Sequence, residues 1–118
     1  MILRSLYFTA LLFFSTISSG LAVEVGDAVR GKIVAKVRCM VCHHLEAPSR
    51  SIGPSLLGIY GQAPSITGVP FMTWNDAALD IWLANPRAVK PNTRMALPPI
   101  APRDRADIIA YFKSVSEL

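Results

Sequence analysis

Apolar side chains recur at helical spacing in three stretches of the chain. The first stretch begins at Asp27, a residue type that caps helices, and runs to about Arg38. Its apolar positions recur every fourth residue at Val29, Ile33 and Val37, with Val34 and Val41 beside them, so one face of the helix is apolar. We expect that face to pack into the core. A glycine within the predicted helix, at position 31, indicates a close packing contact there.

A second helix is predicted to begin at a capping signal in residues 73–76. The Thr-Trp-Asn-Asp sequence at 73–76 has the form of a capping box. Leu79, Trp82 and Leu83 then fall on one helical face, and the Asn-Pro pair at 85–86 ends the helix.

A third helix is predicted to close the chain. Pro102 suits its first position, and we expect Asp104 and Asp107 in its first turn. The apolar residues that follow at i, i+3, i+4 and i+7 are Ile108, Tyr111, Phe112 and Val115. No strand pattern and no internal repeat accompany the three helices, so the predicted fold class is all-α.

Loops rich in glycine and proline separate the helices. The segment 44–73 contains one apolar run, 56–60, that predicts at most a helical turn or two, and the proline-rich segment 86–102 predicts a stiff loop. A loop of about 30 residues is too long for a compact domain that is filled by protein alone. We therefore expect the helices and loops to wrap around something else.

The first 22 residues differ in character from the rest. A short stretch that carries Arg4 precedes the apolar block 6–17, and small residues follow it. This is the order of a secretory signal peptide. The block is shorter than the roughly 20 residues that a spanning helix needs, so we expect cleavage after Ala22 rather than a permanent membrane anchor. The predicted organisation is a signal peptide, 1–22, and one exported domain, 23–118.

Composition narrows the function classes further. A length of 118 residues leaves room for one domain, and the formal net charge of +4 is mild. The basic residues are dispersed and have no interleaved aromatic side chains, so nucleic-acid binding is not expected.

The two cysteines carry the most informative motif. The sequence CMVCH at positions 39–43 has the spacing of a c-type haem attachment site. Thiols three residues apart on a turning backbone, Cys39 and Cys42, can form thioethers with the two vinyl groups of one porphyrin. The adjacent imidazole of His43 can then coordinate the iron. The motif predicts one covalent haem c.

Three other uses of these cysteines compete with haem. A thioredoxin-like CxxC pair would need a βαβ context, which the sequence lacks, and a zinc site would need further ligands. A plain disulfide, common in exported proteins, would leave the position of His43 to coincidence. The motif therefore favours haem.

A second axial ligand of the iron must come from elsewhere in the sequence. The candidates are Met72, Met95 and, more weakly, His44. Met95 is favoured because it follows the proline-stiffened segment 90–94, which can hold a thioether sulfur in place. Met72 lies beside aromatic residues, which indicates packing. His44 points about 100° away from its neighbour in a helical turn and is expected to be solvated or hydrogen-bonded.

Together these motifs resemble the class I cytochromes c, the small mitochondrial and bacterial type. The matching segments are the GPSL sequence at 53–56, the PNTRM sequence at 91–95 and the final DIIAYF sequence at 107–112. The resemblance implies that Pro54 helps to hold the ligating histidine, that Trp74 contacts a haem propionate and that Met95 is the axial methionine. It also implies the class I fold of helices and proline-rich loops wrapped around one haem.

The sequence departs from the family pattern at several positions. The loop between residues 56 and 74 is shorter than in the mitochondrial type. Gln62 takes the place of an arginine near the propionates, and Trp82 takes the place of a tyrosine that donates to the methionine sulfur. Ala35 stands where the first helix usually brings a phenylalanine. The predicted ligands, His43 and Met95, are retained.

With both axial positions filled, the iron has no open site, and its easiest reaction is a change of one electron. We therefore expect a monomeric periplasmic or otherwise exported electron carrier, not an enzyme. Its partners would be redox proteins such as a membrane oxidoreductase, an oxidase or a dehydrogenase. The alternatives are a haem enzyme or a peroxide or gas sensor with a labile methionine, or a dedicated subunit of a dehydrogenase or oxidase. The resemblance further implies basic residues around the exposed haem edge, matched here by Arg38, Arg87 and Arg94.

Overall fold

The computed structural model describes residues 25–118, and within this range the chain is helical and contains no strand. The predicted all-α fold class is confirmed. The predicted signal peptide, residues 1–22, lies outside the described residues. Within residues 25–118 no helix is long and apolar enough to cross a membrane.

Four helices form the described part of the chain. They are α1 (Ala28–Arg38), α2 (Asp76–Ala84), α3 (Pro86–Val89) and α4 (Pro102–Ser116). The first helix begins as predicted, because the Asp27 side chain accepts a hydrogen bond from the backbone N–H of Arg30. The long helices α1 and α4 pack against each other, and α2 packs against α4.

The crossing of α1 and α4 depends on small residues. A Cβ atom added at Gly31 would lie 1.8 Å from the carbonyl oxygen of Asp107. One added at Gly26 would lie 2.0 Å from that of Ala106. Ala35, on the same side of α1, is fully buried. The two helices therefore meet at backbone distance, which confirms the close contact predicted at position 31.

The prediction that Val29, Ile33 and Val37 form the buried face of α1 was wrong. Their exposed fractions are 77%, 60% and 69%. The packing distance explains the error: α4 approaches the face that carries Gly31 and Ala35, where side chains of valine size would hold the helices apart. The apolar row is consequently turned outward.

Asp107 is also placed differently from the prediction. It is not in the first turn of α4 but one turn further on, facing α1, with only 1% of its surface exposed. Its carboxylate accepts hydrogen bonds from the backbone N–H of Asp27 at 2.7 Å and from Nε of Arg30 at 2.6 Å. Burial raises the pKa of Asp107, but these hydrogen bonds and the charge of Arg30 outweigh it, and the net pKa is lowered.

Asparagine side chains cap the two shorter helices. Asn75, rather than the predicted Thr73, caps α2 by accepting from the N–H of Ala78 at 2.9 Å. Asn85 caps α3 by accepting from the N–H of Ala88 at 3.2 Å. The stiff loop predicted for 86–102 therefore contains a short helix at its start. The segment 56–60 forms isolated turns and no helix.

One apolar core joins the helices and the loops. It contains the predicted faces of α2 and α4, together with Leu45 and Ile100 from the loops. Its other buried members are Ala35, Cys39, Trp74, Ala78, Leu79, Trp82, Leu83, Ile108, Ile109, Tyr111 and Phe112. Cys39 and Trp74 thus share the core, which brings two regions of predicted site residues into one apolar environment.

Candidate functional site

The CMVCH motif continues the last turn of α1. Cys39 is the C-cap of the helix, and its N–H donates to the carbonyl oxygen of Ala35 at 2.8 Å. The N–H groups of Cys42 and His43 both donate back to the carbonyl of Cys39, at 3.1 and 2.9 Å. One turn of backbone therefore presents both thiols and the imidazole.

The His43 ring is fixed in orientation by its neighbours. The ring is 8% exposed, and its Nδ1 lies 2.6 Å from the carbonyl oxygen of Pro54. A carbonyl only accepts hydrogen bonds, so Nδ1 carries a proton, and in the neutral ring the lone pair therefore lies on Nε2. This is the form of imidazole that binds a metal, with its other nitrogen held by a hydrogen bond.

The backbone of Gly53 presses against the same ring. Its N–H donates to the carbonyl of Cys42 at 2.6 Å, which ties the loop to the motif. A Cβ atom added at Gly53 would lie 2.4 Å from Cε1 of His43. Any side chain here would displace the imidazole, so the glycine sets how closely the loop approaches it.

The environment of the cysteines does not suit dithiol redox chemistry. Burial raises the pKa of Cys39 to about 11, although the nearby charge of Arg38 partly opposes this effect. Reactive cysteines of the thioredoxin type instead have lowered pKa values, because the thiolate is the nucleophile. A zinc site also lacks support, since no cluster of three or more histidine, cysteine or acidic side chains suited to a metal occurs within residues 25–118.

Met95 lies in a hydrogen-bonded loop at the edge of the core. The N–H of Thr93 donates to the carbonyl of Lys90 at 2.9 Å, and the N–H of Met95 donates to Oγ1 of Thr93 at 3.2 Å. The half-buried Met95 side chain packs against the core. An open cavity of about 300 Å³ adjoins it, lined by 85–87 and 95–98.

The other two candidates for the second axial position are placed less well. Met72 was predicted to pack, but it is 87% exposed, so that prediction was wrong. His44 donates from Nδ1 to the carbonyl of Ser49 at 2.9 Å, in agreement with the predicted hydrogen-bonding role.

Trp74 is held at the centre of the core. Its backbone N–H donates to the carbonyl of Gln62 at 2.8 Å. Its ring lies 5.6 Å from the ring of Phe71 and 5.8 Å from that of Trp82, and it is 6% exposed. The two tryptophans therefore pack edge to face, and Trp82 is part of the apolar wall.

The residues present fit a covalently attached haem. Cys39, Cys42 and His43 lie on one turn, and Pro54 is hydrogen-bonded to that turn. Trp74 is joined to them through the shared core, and Met95 packs against the same core. The cavity beside Met95 does not include the motif, so it represents at most one end of such a site.

Sequence reasoning missed two contacts that shape this region. The approach of Gly53 to the His43 ring depends on tertiary structure and has no local signal. The burial of Asp107 did have a local sequence signal. The residue lies one position before Ile108 and four before Tyr111, within the apolar face of α4.

Comparisons with known proteins agree with the fold and the motif. The family model described as Cytochrome c matches residues 28–116. A cytochrome c of Euglena viridis is 36% identical over 102 residues, covering 78% of this chain and all of the relative. Cytochrome c2 iso-2 of Magnetospirillum fulvum is 37% identical over 87 residues, covering 65% of this chain and 91% of the relative. The solved structure of cytochrome cH from Methylobacterium extorquens superimposes with a TM-score of 0.62 at 33% identity, covering 75% and 99% of the two chains.

Proposed function

Because this chain belongs to the cytochrome c family, whose members carry one covalent haem c and are electron carriers rather than enzymes, we propose that it shuttles single electrons between redox proteins outside the cytoplasm. Bound haem supplies an iron centre that changes by one electron. The chain supplies the attachment, the axial ligands, the apolar surroundings and the surface that partners meet.

Cys39 and Cys42 would hold the haem covalently, and His43 would supply the first protein ligand of its iron. The single observation that carries this assignment is the 2.6 Å hydrogen bond from Nδ1 of His43 to Pro54. It leaves the Nε2 lone pair for a metal and holds the ring in one orientation. The contact with Gly53 restricts ring movement further.

Met95 would supply the second protein ligand of the iron. The proposal is supported by the position of its side chain against the core and by the turn that fixes residues 90–95. A thioether is a soft ligand, and together with histidine it raises the reduction potential relative to harder ligand pairs. The exposed Met72 offers no comparable setting.

The surroundings of these residues favour electron transfer over substrate chemistry. Trp74 and Trp82 contribute to an apolar wall that excludes water, which raises the free energy of the more highly charged oxidised state. A filled coordination shell also leaves no position for oxygen, peroxide or a gas.

The site of action is proposed to be the periplasm or another exported compartment. Residues 1–22 carry the signal-peptide pattern described above, and the bacterial relatives include a cytochrome c2. Partners are redox proteins, and the exposed side chains of Arg87 and Arg94 support attraction of an acidic partner.

A redox titration of the purified holoprotein tests the function. We expect reversible reduction by one electron for each chain and no binding of carbon monoxide to the reduced form at neutral pH. Carbon monoxide binding at full occupancy under these conditions would point to an open iron, and the carrier assignment would fail.

A further inference from the structure

An apolar row runs along the solvent side of α1. It consists of Val29, Ile33, Val37 and Val41, which recur at every fourth position and are 60% to 77% exposed. The row extends beyond the helix because the N–H of His43 bonds to the carbonyl of Cys39, continuing the helical turn. We call these four residues the α1 row.

The α1 row lies outside the contact between α1 and α4. The opposite side of α1 packs against α4 through Gly31 and Ala35. β-branched side chains on a solvated helix face also lower helix propensity and leave apolar surface in water. We therefore expect another molecule to cover the row.

The row ends at the proposed haem attachment turn. Val41 is 74% exposed and lies between Cys39 and Cys42, and its neighbour Met40 is 52% exposed. A molecule seated on the row would therefore touch the segment that holds the haem. Electron transfer requires this closeness, whereas storage or structural contacts do not.

The size of the α1 row indicates what kind of partner can cover it. From residue 29 to residue 41 a helical path covers roughly 18 Å, and one line of aliphatic side chains along it is narrow. A stable dimer needs about 800 Å² from each partner, whereas transient redox complexes lie at the low end of interface sizes. The row fits a brief encounter better than a permanent pair.

The composition of the row also disfavours a lipid surface as the occupant. Helices that lie in the membrane interface use Trp, Phe and Leu on the apolar face, and the α1 row contains only valine and isoleucine. Lys32 and Lys36 border the row, and Lys32 already pairs with Glu46 at 3.1 Å. Two lysines and one glutamate leave this border with a net positive charge, which would meet acidic side chains around an apolar patch of a protein.

We propose that the α1 row is the contact surface for a redox protein partner, which presents an apolar patch bordered by acidic side chains. The inference rests on the proposed function, since it places the partner beside the haem. Basic side chains set the rate of encounter, and the α1 row holds the complex long enough for the electron to pass.

The test replaces three residues of the row in the full holoprotein. The variant Val29→Gln, Ile33→Gln, Val37→Gln keeps good helix formers on an exposed face, so folding is retained. A control carries the same change at Ile52, Leu57 and Ile81, which are 73%, 39% and 52% exposed elsewhere on the surface. The probe is oxidation of the reduced protein by membrane vesicles from the source organism, followed in the haem spectrum at several ionic strengths.

We expect the row variant to be oxidised at least about fivefold more slowly than both the wild type and the control, because it lacks three apolar contacts. Its dependence on salt should parallel that of the wild type, since no charge has changed. Its oxidation by ferricyanide, which needs no docking, should be unchanged.

Equal rates for the row variant and the wild type would overturn the proposal. Binding of the wild type to protein-free anionic lipid vesicles that the row variant loses would also overturn it, by making lipid the occupant. So would a wild-type dimer in analytical ultracentrifugation that the row variant disperses. Failure of the proposed function looks different, because the wild type itself would then not cycle between ascorbate and ferricyanide.

Discussion

The imidazole Nδ1 of His43 lies 2.6 Å from the carbonyl oxygen of Pro54 and donates a hydrogen bond to it. The bond joins the end of α1 to a loop residue 11 positions further along the chain. It explains why a histidine next to two cysteines has one fixed orientation, with Nε2 as the nitrogen that carries the lone pair when the ring is neutral.

The first prediction concerns the loop that holds this ring. Gly53→Ala adds a Cβ atom that would lie only 2.4 Å from Cε1 of His43. The imidazole must shift, so we expect weakened iron ligation, seen as an altered haem spectrum and a lower midpoint of thermal unfolding. Ser51→Ala, an exposed position in the same loop, is the control and should change neither. An unaltered haem spectrum in the Gly53 variant would mean that a methyl group fits beside the imidazole, contrary to the structure.

The second prediction separates the two methionines. Met95→Ala should remove the soft ligand, lower the reduction potential and allow carbon monoxide to bind the reduced protein. It should also abolish the weak near-infrared absorption that arises from sulfur bound to iron. Met72→Ala, at a position 87% exposed, should retain both properties. The reverse outcome would assign the ligand to Met72.

The third prediction concerns the buried carboxylate that joins α1 to α4. Asp107→Asn should lower the free energy of unfolding at neutral pH by roughly 2 to 3 kcal/mol, since hydrogen bonds to a charged group are lost. Asp104→Asn, one turn earlier in α4 and half-buried, should cost less than about 1 kcal/mol. Urea titrations of both variants measure the difference.

The fourth prediction is the pH dependence of the same contact. The folded state lowers the pKa of Asp107, so this group stabilises the protein above its ordinary pKa of about 4. That contribution is lost as the pH falls through the lowered folded value. Unfolding free energies measured between pH 7 and pH 2 should therefore fall less steeply in Asp107→Asn than in the wild type. Parallel curves would mean that the pKa of Asp107 does not differ between the folded and unfolded states.

Sequence patterns predicted the starts of α1 and α4 and the buried faces of α2 and α4, but not the buried face of α1. Asp27 and Pro102 start α1 and α4 as predicted, because capping and the fixed φ of proline act locally. The buried face of α1 was predicted wrongly because apolar periodicity favoured Val29 and its row over Gly31. Which side of a helix is buried depends on what crosses it, and only the packed structure supplies α4.

For the candidate site, the sequence likewise predicts the chemistry but not the orientation of the side chains. The spacing of Cys39, Cys42 and His43 alone predicts haem attachment there, and the family model and relatives support a covalent haem. The orientation of the ring does not follow from spacing, since Pro54 reaches it through a loop. The cap of α2 was displaced from Thr73 to Asn75 because both residue types favour caps, and tertiary packing selects between them.

The fifth prediction concerns charge at the partner surface. Arg87 and Arg94 are exposed, whereas Arg38 donates to the carbonyl of Pro99 at 2.9 Å and is half-buried. Arg87→Glu or Arg94→Glu should slow oxidation by the source membranes by about tenfold at low salt, and added salt should reduce the difference. The variant Arg50→Glu, at an exposed position in another loop, is the control. Oxidation rates that change with neither salt nor charge reversal would mean that docking depends on apolar contacts alone.

Mass spectrometry of the purified protein tests the haem site most directly. After extraction with acidic acetone, the mature chain should retain the mass of one haem, located on the peptide that contains Cys39, Cys42 and His43. The Cys39→Ala and Cys42→Ala variants should mature poorly or carry a single thioether. Release of free haem by the extraction, with an unmodified 39–43 peptide left behind, would contradict covalent attachment and with it the proposed site.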